Sequence, residues 1–231
     1  MEIVTNIDTK KIIFETNKCY SIVAFNERNK DKFIKNFYYY NMDKVYYIDL
    51  CNYDNMFNSN CYLDITNNLK DIELIKLQGL LELFKLDFSI LKKNFYKLSN
   101  SEKKKILLVT AFLSNKEILL INNSIIGLDA ESKLSLIRVI KHEKRNNRVI
   151  VLYSVDSNFI HQSSDKIIDV EDYKIFDKYN FFLKTKRIEK YNIKMPDIEL
   201  FRKSAKDMKN VKLDKTDNIN DLIKDVYRNV Q

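Results

Sequence analysis

The sequence predicts an α/β fold: a mainly parallel sheet, a helical subdomain and a short C-terminal helical extension. Three observations predict it. Short apolar, β-rich runs alternate with segments of helical periodicity over residues 10–177. Two of those runs, Glu117–Asn122 (EILLIN) and Arg148–Ser154 (RVIVLYS), are apolar nearly throughout. That is the pattern of strands covered on both faces in a parallel sheet. From about residue 181 the chain turns helical and polar, with its one proline, Pro196, near a helix start.

Taken in order, Lys11–Phe14 (KIIF) and Cys19–Phe25 (CYSIVAF) read as strands, because they are rich in β-branched and aromatic residues. Asn29–Tyr40 reads as a helix and Val45–Leu50 (VYYIDL) as the next strand. Residues 66–97 are expected to be a helical subdomain, with Leu69, Ile72, Ile75, Leu80, Leu83 and Phe84 at helical spacing. A helix over Ser101–Leu113 precedes the buried strand Glu117–Asn122, and a helix over residues 132–146 precedes the strand Arg148–Ser154. KIIDVED and YKIF close the unit as a hairpin. The division expected is a core over residues 1–177 and an extension over 178–231, with no internal repeat.

Composition narrows the function. The chain has 231 residues, 45% of them hydrophobic, enough for a real core. It has two glycines and one proline, where ordinary usage would give roughly 16 and roughly 12. A glycine-rich phosphate loop needs several glycines within a few residues so that backbone N–H groups can approach phosphate. Gly79 and Gly127 lie far apart, so an intact loop of that kind is excluded. No apolar run reaches the roughly 18 residues of a membrane span, and no signal peptide opens the chain. Cys19, Cys51 and Cys61 have no CxxC spacing, and His142 and His161 are the only histidines, so no zinc site or disulfide framework is expected. The net charge of +8 has two readings. One is contact with nucleic acid or an anionic membrane face. The other is a coding bias that inflates Lys, Asn, Ile, Tyr and Phe together, and the even spread of basic among acidic residues favours it.

Leu98–Asp129 (LSNSEKKKILLVTAFLSNKEILLINNSIIGLD) resembles the signature-to-D-loop region of ABC-transporter ATPases, which have the P-loop NTPase-like fold. That region runs from an LSGGQ signature through a helix and a buried strand ending in Asp-Glu to a Gly-Leu-Asp turn. RVIVLYSVD (Arg148–Asp156) stands where the family has a strand ending in Thr-His-Asp, and SSDKIIDVEDYKIF resembles the closing hairpin. CYSIVAFNERNKDKFIKN (Cys19–Asn36) falls at the strand, phosphate loop and helix. The tail, NFFLKTKRIEKYNIKMPDIELFRKSAKDMK with INDLIKDVYRN, is similar to the C-terminal extension of energy-coupling factor (ECF) importer ATPases.

Carried over residue by residue, the resemblance implies that the chemistry is lost. The phosphate loop reads Ala24-Phe25-Asn26-Glu27-Arg28-Asn29-Lys30-Asp31. Its glycines are replaced by Ala24, Glu27 and Asn29, Lys30 stands at the phosphate-binding lysine, and Asp31 replaces the Mg²⁺-binding Ser/Thr. Asn26, Lys30 and Asp31 are the degenerate cofactor-binding positions, and Asp31 is expected to cap its own helix's first turn. The Mg²⁺-associated aspartate and the catalytic glutamate fall at Asn122 and Asn123, and the γ-phosphate-sensing histidine falls at Val155. Asparagine cannot act as a general base, a contribution worth about 10²–10⁴-fold. Of the signature, Ser99 is kept, while both glycines become Asn100 and Ser101. Ser99-x-x-Glu102 is also a capping box. The glutamine that links nucleotide to the membrane partner falls near Leu50. Gly127 and Asp129 fall at the contact with the partner ATPase, where Asp129 reads equally as the N-cap of the helix beginning near Ala130. Tyr53, Met56, Phe57, Cys61 and Tyr62 fall near the groove for a membrane subunit's coupling helix, where core packing is the competing reading.

The resemblance therefore implies a catalytically degenerate ABC-type subunit, a non-hydrolysing structural or regulatory partner in an ECF-like import complex. Its partners would be an active ABC ATPase subunit and a transmembrane coupling subunit. It would be cytoplasmic and peripheral on the inner membrane face, with no membrane span and no specific nucleic acid. ATP and Mg²⁺ would bind weakly or residually, with no other cofactor or metal. Two alternatives stand beside it: a residual ATP-binding and hydrolysing ABC subunit, supported by Lys30, and a basic nucleic-acid-binding module.

Overall fold

The computed structural model describes residues 2–7, 10–53, 57, 59–69 and 71–229. A two-stranded antiparallel hairpin, β1 (Glu2–Ile7) and β2 (Lys10–Glu15), precedes a six-stranded sheet. The sheet contains β3 (Lys18–Val23), β4 (Val45–Asp49), β5 (Ile118–Asn122), β6 (Val149–Tyr153), β7 (Lys166–Asp169) and β8 (Lys174–Asp177), in the order β4-β5-β6-β3-β7-β8. Every neighbouring pair is parallel except β7 and β8. Helices α1 (Glu27–Tyr40), α2 (Cys61–Asn68), α3 (Leu74–Leu83), α4 (Asn100–Leu113), α5 (Ala130–Glu143) and α6 (Ser157–Ser163) connect the strands. Four helices form the tail: α7 (Lys178–Phe182), α8 (Thr185–Lys190), α9 (Asp197–Lys209) and α10 (Ile219–Asn229).

The two nearly continuous apolar runs form adjacent interior strands of this sheet, β5 and β6. Every residue of β5 and β6 is buried, and the side chains alternate between two cores, as the strand period demands. Leu119, Ile121, Ile150 and Leu152 pack with Leu107, Ala111, Leu136 and Ile140 from α4 and α5. Ile118, Leu120, Val149 and Val151 pack with Phe33 and Phe37 of α1 and with Ile3 and Phe14 of the hairpin. Each buried Val, Leu, Ile or Phe among them contributes about 1.5–3 kcal/mol by leaving water. Because all the parallel strands point one way, their C-terminal ends gather Ala24, Asp49, Asn122–Asn123 and Ser154–Val155 along one edge.

Departures from the expected elements have local causes. Residues 66–97 are not continuously helical. Side chains of Asp87 and Asn94 accept from the Ser89 and Tyr96 N–H groups and open 3-10 turns at Phe88–Lys92 and Phe95–Lys97. Helix α2 begins earlier, at Cys61, with Asn60 as its N-cap. Strand β1 was not expected, although Ile3, Thr5 and Ile7 alternate with exposed residues. Helix α6 has seven residues, too short for periodicity to reveal, and starts on the Asp156 cap.

The shortage of glycine is met largely by asparagine. Seven described non-glycine residues have positive φ, and five of them are Asn17, Asn123, Asn147, Asn192 and Asn210. Asparagine tolerates the left-handed region better than other L-residues because its short side chain bonds locally. Gly127 has φ +74°, and a Cβ there would lie 3.4 Å from Lys104 Cε, so the turn packs against the first turns of α4.

The tail is anchored by packing and charge. Phe181 and Phe182 bury against Val23, Ile160 and Ile167. His161 Nε2 lies 2.9 Å from Glu199 Oε1, and Arg202 Nη1 donates to both Glu199 oxygens at 2.9 and 2.8 Å. Pro196 is the N-cap of α9, as its position predicts. Among the described residues no helix is long and apolar enough to cross a membrane.

Candidate functional site

The segment after β3 makes a helix start rather than a loop. Asn26 is the N-cap of α1, its side chain accepting from Asn29 N–H at 2.9 Å, with Glu27 in the first turn. Residues 27–30 are therefore helical, two residues earlier than the expected start at Asn29. This corrects the capping expectation for Asp31, which lies beyond the first turn. Asn26 and Glu27 do that work.

Lys30 is buried, and its Nζ lies 2.5 Å from Glu27 Oε2 and 2.9 Å from Asp31 Oδ1. It also sits 4.7 Å from the Tyr153 ring centroid, and the Tyr153 hydroxyl donates to Glu27 Oε1 at 2.7 Å. Burial alone would lower the lysine pKa, but the two carboxylates outweigh it and hold the ammonium above its ordinary value. The Lys30 hydrogen bond in turn holds Glu27 below the usual carboxylate range. Burial, reinforced by the bond to Glu27, raises the Tyr153 phenol.

A third carboxylate completes the arrangement. Glu171, in the β7–β8 turn, accepts from Phe25 N–H at 2.9 Å and from Asn29 Nδ2 at 3.0 and 2.8 Å. Glu27, Asp31 and Glu171 thus satisfy the cation and a loop N–H that a bound anion would otherwise engage. An incoming phosphate would meet three negative charges here. The residues present do not fit a Mg²⁺–nucleotide.

The neighbouring strand ends are organised by Asp49. Asn122 Nδ2 donates to Asp49 Oδ2 at 2.9 Å, and Asn123 Nδ2 donates to Asp49 Oδ1 at 3.0 Å. Cys51 N–H adds a bond at 2.8 Å. The acceptor-only carboxylate fixes both amides with nitrogen inward. Asn122 Oδ1 is left buried without a hydrogen-bond partner. Asn123 adopts the left-handed conformation, φ 55°. Val155 is exposed and brings no polar group.

Ser99 satisfies its own helix. Glu102 N–H donates to Ser99 Oγ at 3.3 Å, while Ser99 N–H and Oγ donate to Glu102 Oε2 at 2.9 and 2.7 Å, so the capping box is complete. Asp129 is the N-cap of α5, accepting from Ser132 N–H at 2.8 Å and from Ser101 Oγ at 3.4 Å. Gly127 and Asp129 therefore lie beside the start of α4, which brings the turn and the signature segment together.

The aromatic segment divides. Phe57 stacks on Phe95 at 4.4 Å and is buried, as is Cys61, and Tyr53 meets Phe95 edge-on at 5.8 Å. Tyr62 lines an open groove of about 470 Å³ with Leu63, Leu74, Phe88 and Leu91. Met56 lies outside the described residues. Sequence reasoning missed Asp49, Tyr153 and Glu171. Asp49 ends a buried strand and could have been suspected, whereas Glu171 lies 146 residues from Phe25 and carries no local signal.

The fold is that of an ABC ATPase nucleotide-binding domain. The structure superposes on cbiO1 of Clostridium perfringens, part of the cbiONQ ABC transporter complex, with TM-score 0.60 and 13% identity, covering 87% of this chain and 96% of that one. A metal-chelate type ABC transporter in an inward-facing conformation gives TM-score 0.61 and 13% identity, over 79% and 80% of the two chains. In sequence the chain is similar to energy-coupling factor transporter ATP-binding proteins. It is 27% identical to EcfA2 of Thermotoga maritima over 99 residues (42% of this chain, 37% of that protein). It is 25% identical to EcfA2 of Staphylococcus aureus over 122 residues (50% and 43%). An ABC transporter ATP-binding protein of Mycoplasma pneumoniae is 29% identical over 119 residues (50% and 33%). The matches span less than half the length of these curated relatives. No protein-family model matches the chain.

Proposed function

We propose that this chain is a catalytically degenerate ABC-type subunit, a non-hydrolysing structural or regulatory partner in an ECF-like membrane import complex. The observation that carries this reading is the Lys30 ammonium closed between Glu27 and Asp31. Asn122 and Asn123, committed to Asp49, support it further, because neither can take a proton from water or hold a metal by charge. What the chain keeps is the framework: a buried parallel sheet, the Gly127–Asp129 turn against α4, and the open apolar groove beside Tyr62. An active ATPase subunit would pair across the Gly127–Asp129 side, and a transmembrane coupling subunit would seat a helix in the groove. The chain would then lie peripherally on the membrane.

Co-expression with an ECF-type ATPase and its coupling subunit tests this. The expected result is a stoichiometric complex whose ATP hydrolysis disappears when the partner ATPase loses its catalytic base. Hydrolysis that persists in that complex would contradict the proposal.

A further inference from the structure

A second cluster of positive charge lies at the start of the tail. Edge strand β8 and helix α8 enclose an open hollow of about 380 Å³, within the size range of small-ligand sites. Five cationic side chains line it: Lys174 from β8, Lys184 just before α8, and Lys186, Arg187 and Lys190 on α8. Only Asp169 and Asp172 oppose them. Asp169 is already engaged, accepting from the Tyr191 hydroxyl and, at 3.0 Å, from Glu171 N–H. Asp172 lies 3.8 Å from Lys174. Among the described residues, Lys184, Lys186, Arg187 and Lys190 form no ion pair.

Arg187 differs from a solvated surface arginine. Its guanidinium carbon lies 4.0 Å from the Phe176 ring centroid and 5.8 Å from that of Phe181. Stacking on an aromatic floor orients the planar fork before a ligand arrives, which lowers the entropy cost of binding. A fixed guanidinium ringed by flexible ammonium groups suits phosphate oxygens, which it can engage by two parallel bonds.

We propose that this hollow binds a multiply charged phosphate group, such as a diphosphate, at a site separate from the Lys30 seat. The group could belong to a free phosphorylated small molecule or to an anionic lipid headgroup, which share this chemistry.

Calorimetry on the full chain at low salt, with pyrophosphate as probe, tests the proposal. The expected result is saturable binding of one pyrophosphate per chain. Its affinity should fall at least about tenfold in Lys186→Ala/Arg187→Ala/Lys190→Ala and weaken as salt rises. If removing Arg187 from its aromatic floor impairs folding, Lys186→Glu/Lys190→Glu keeps the stack and is expected to lose the same affinity. Sedimentation with vesicles containing phosphatidic acid, whose phosphate monoester can carry two charges, against phosphatidylcholine alone, separates the sources. Vesicle binding that pyrophosphate displaces and the variants abolish assigns a lipid headgroup, whereas pyrophosphate binding without vesicle binding assigns a free ligand. The proposal is overturned if neither probe binds. It is also overturned if the folded variants bind as the wild type does, or if Lys30→Ala removes binding while the tail variants keep it.

Discussion

Glu27→Gln combined with Asp31→Asn leaves the Lys30 ammonium buried with no carboxylate. The Lys30 side chain is 4% exposed, whereas those of Glu27 and Asp31 are 66% and 64% exposed. The contacts of 2.5 and 2.9 Å are therefore half-buried ion pairs. Fully exposed pairs contribute about 0.2–1 kcal/mol each, and stranding a buried charge costs about 3–5 kcal/mol. The orphaned group is the buried one, and the Tyr153 ring 4.7 Å away offers it a cation–π contact in place of a carboxylate. The double change should therefore cost about 2–3 kcal/mol. Adding Lys30→Met removes the stranded charge and keeps the volume, so the triple variant should regain more than half of the loss. Urea unfolding at neutral pH, read from midpoints at constant slope, measures both effects. A double variant as stable as wild type, or a triple variant no better than the double, would refute the claim that these carboxylates hold Lys30.

Three further outcomes are expected. Glu171→Gln weakens the acceptor for Phe25 N–H and Asn29, so the Phe25 amide should exchange faster with solvent at a stability cost of about 1–2 kcal/mol; unchanged protection counts against the contact. Asn122→Asp with Asn123→Glu places two more carboxylates against Asp49, replacing the amide donors at 2.9 and 3.0 Å. The melting temperature should drop at neutral pH, recover in part as the pH is lowered, and no phosphate release should appear. The tail anchor should loosen in acid. Burial would raise the Glu199 pKa, but the His161 bond and Arg202 charge outweigh it and leave the carboxyl below its ordinary value. Its contribution is therefore present above the unfolded pKa of about 4.3 and lost as pH falls through the lower folded value. Exchange in α9 should rise over that acidic range; protection that stays unchanged there counts against the Glu199 anchor.

The parallel sheet was legible because β5 and β6 are apolar at nearly every position, which leaves no solvent face to hide. The capping box at Ser99 and the cap at Asp129 were legible because both are contacts within three residues. The start of α1 was misplaced by two residues because Glu27 and Arg28 read as part of the phosphate loop, while Asn26 supplies a cap that makes them helical. The helical stretch 66–97 was overestimated because its apolar spacing continues through two Asx-capped 3-10 turns. What the sequence could not reveal is long-range pairing. Glu171 reaches Phe25 and Asn29 across the fold, and Asp49 gathers two asparagines 73 and 74 positions away. In three dimensions Glu27 and Asp31 pair with Lys30, and Asp49 accepts from both asparagine amides, contacts that no local pattern announces.

The most direct test is the binding and turnover of Mg-ATP by the purified chain, with wild type compared against Lys30→Ala. A nucleotide seat closed by Glu27, Asp31 and Glu171 predicts no steady hydrolysis and no saturable binding at that seat in either protein. Micromolar binding with steady hydrolysis that vanishes in Lys30→Ala would contradict it.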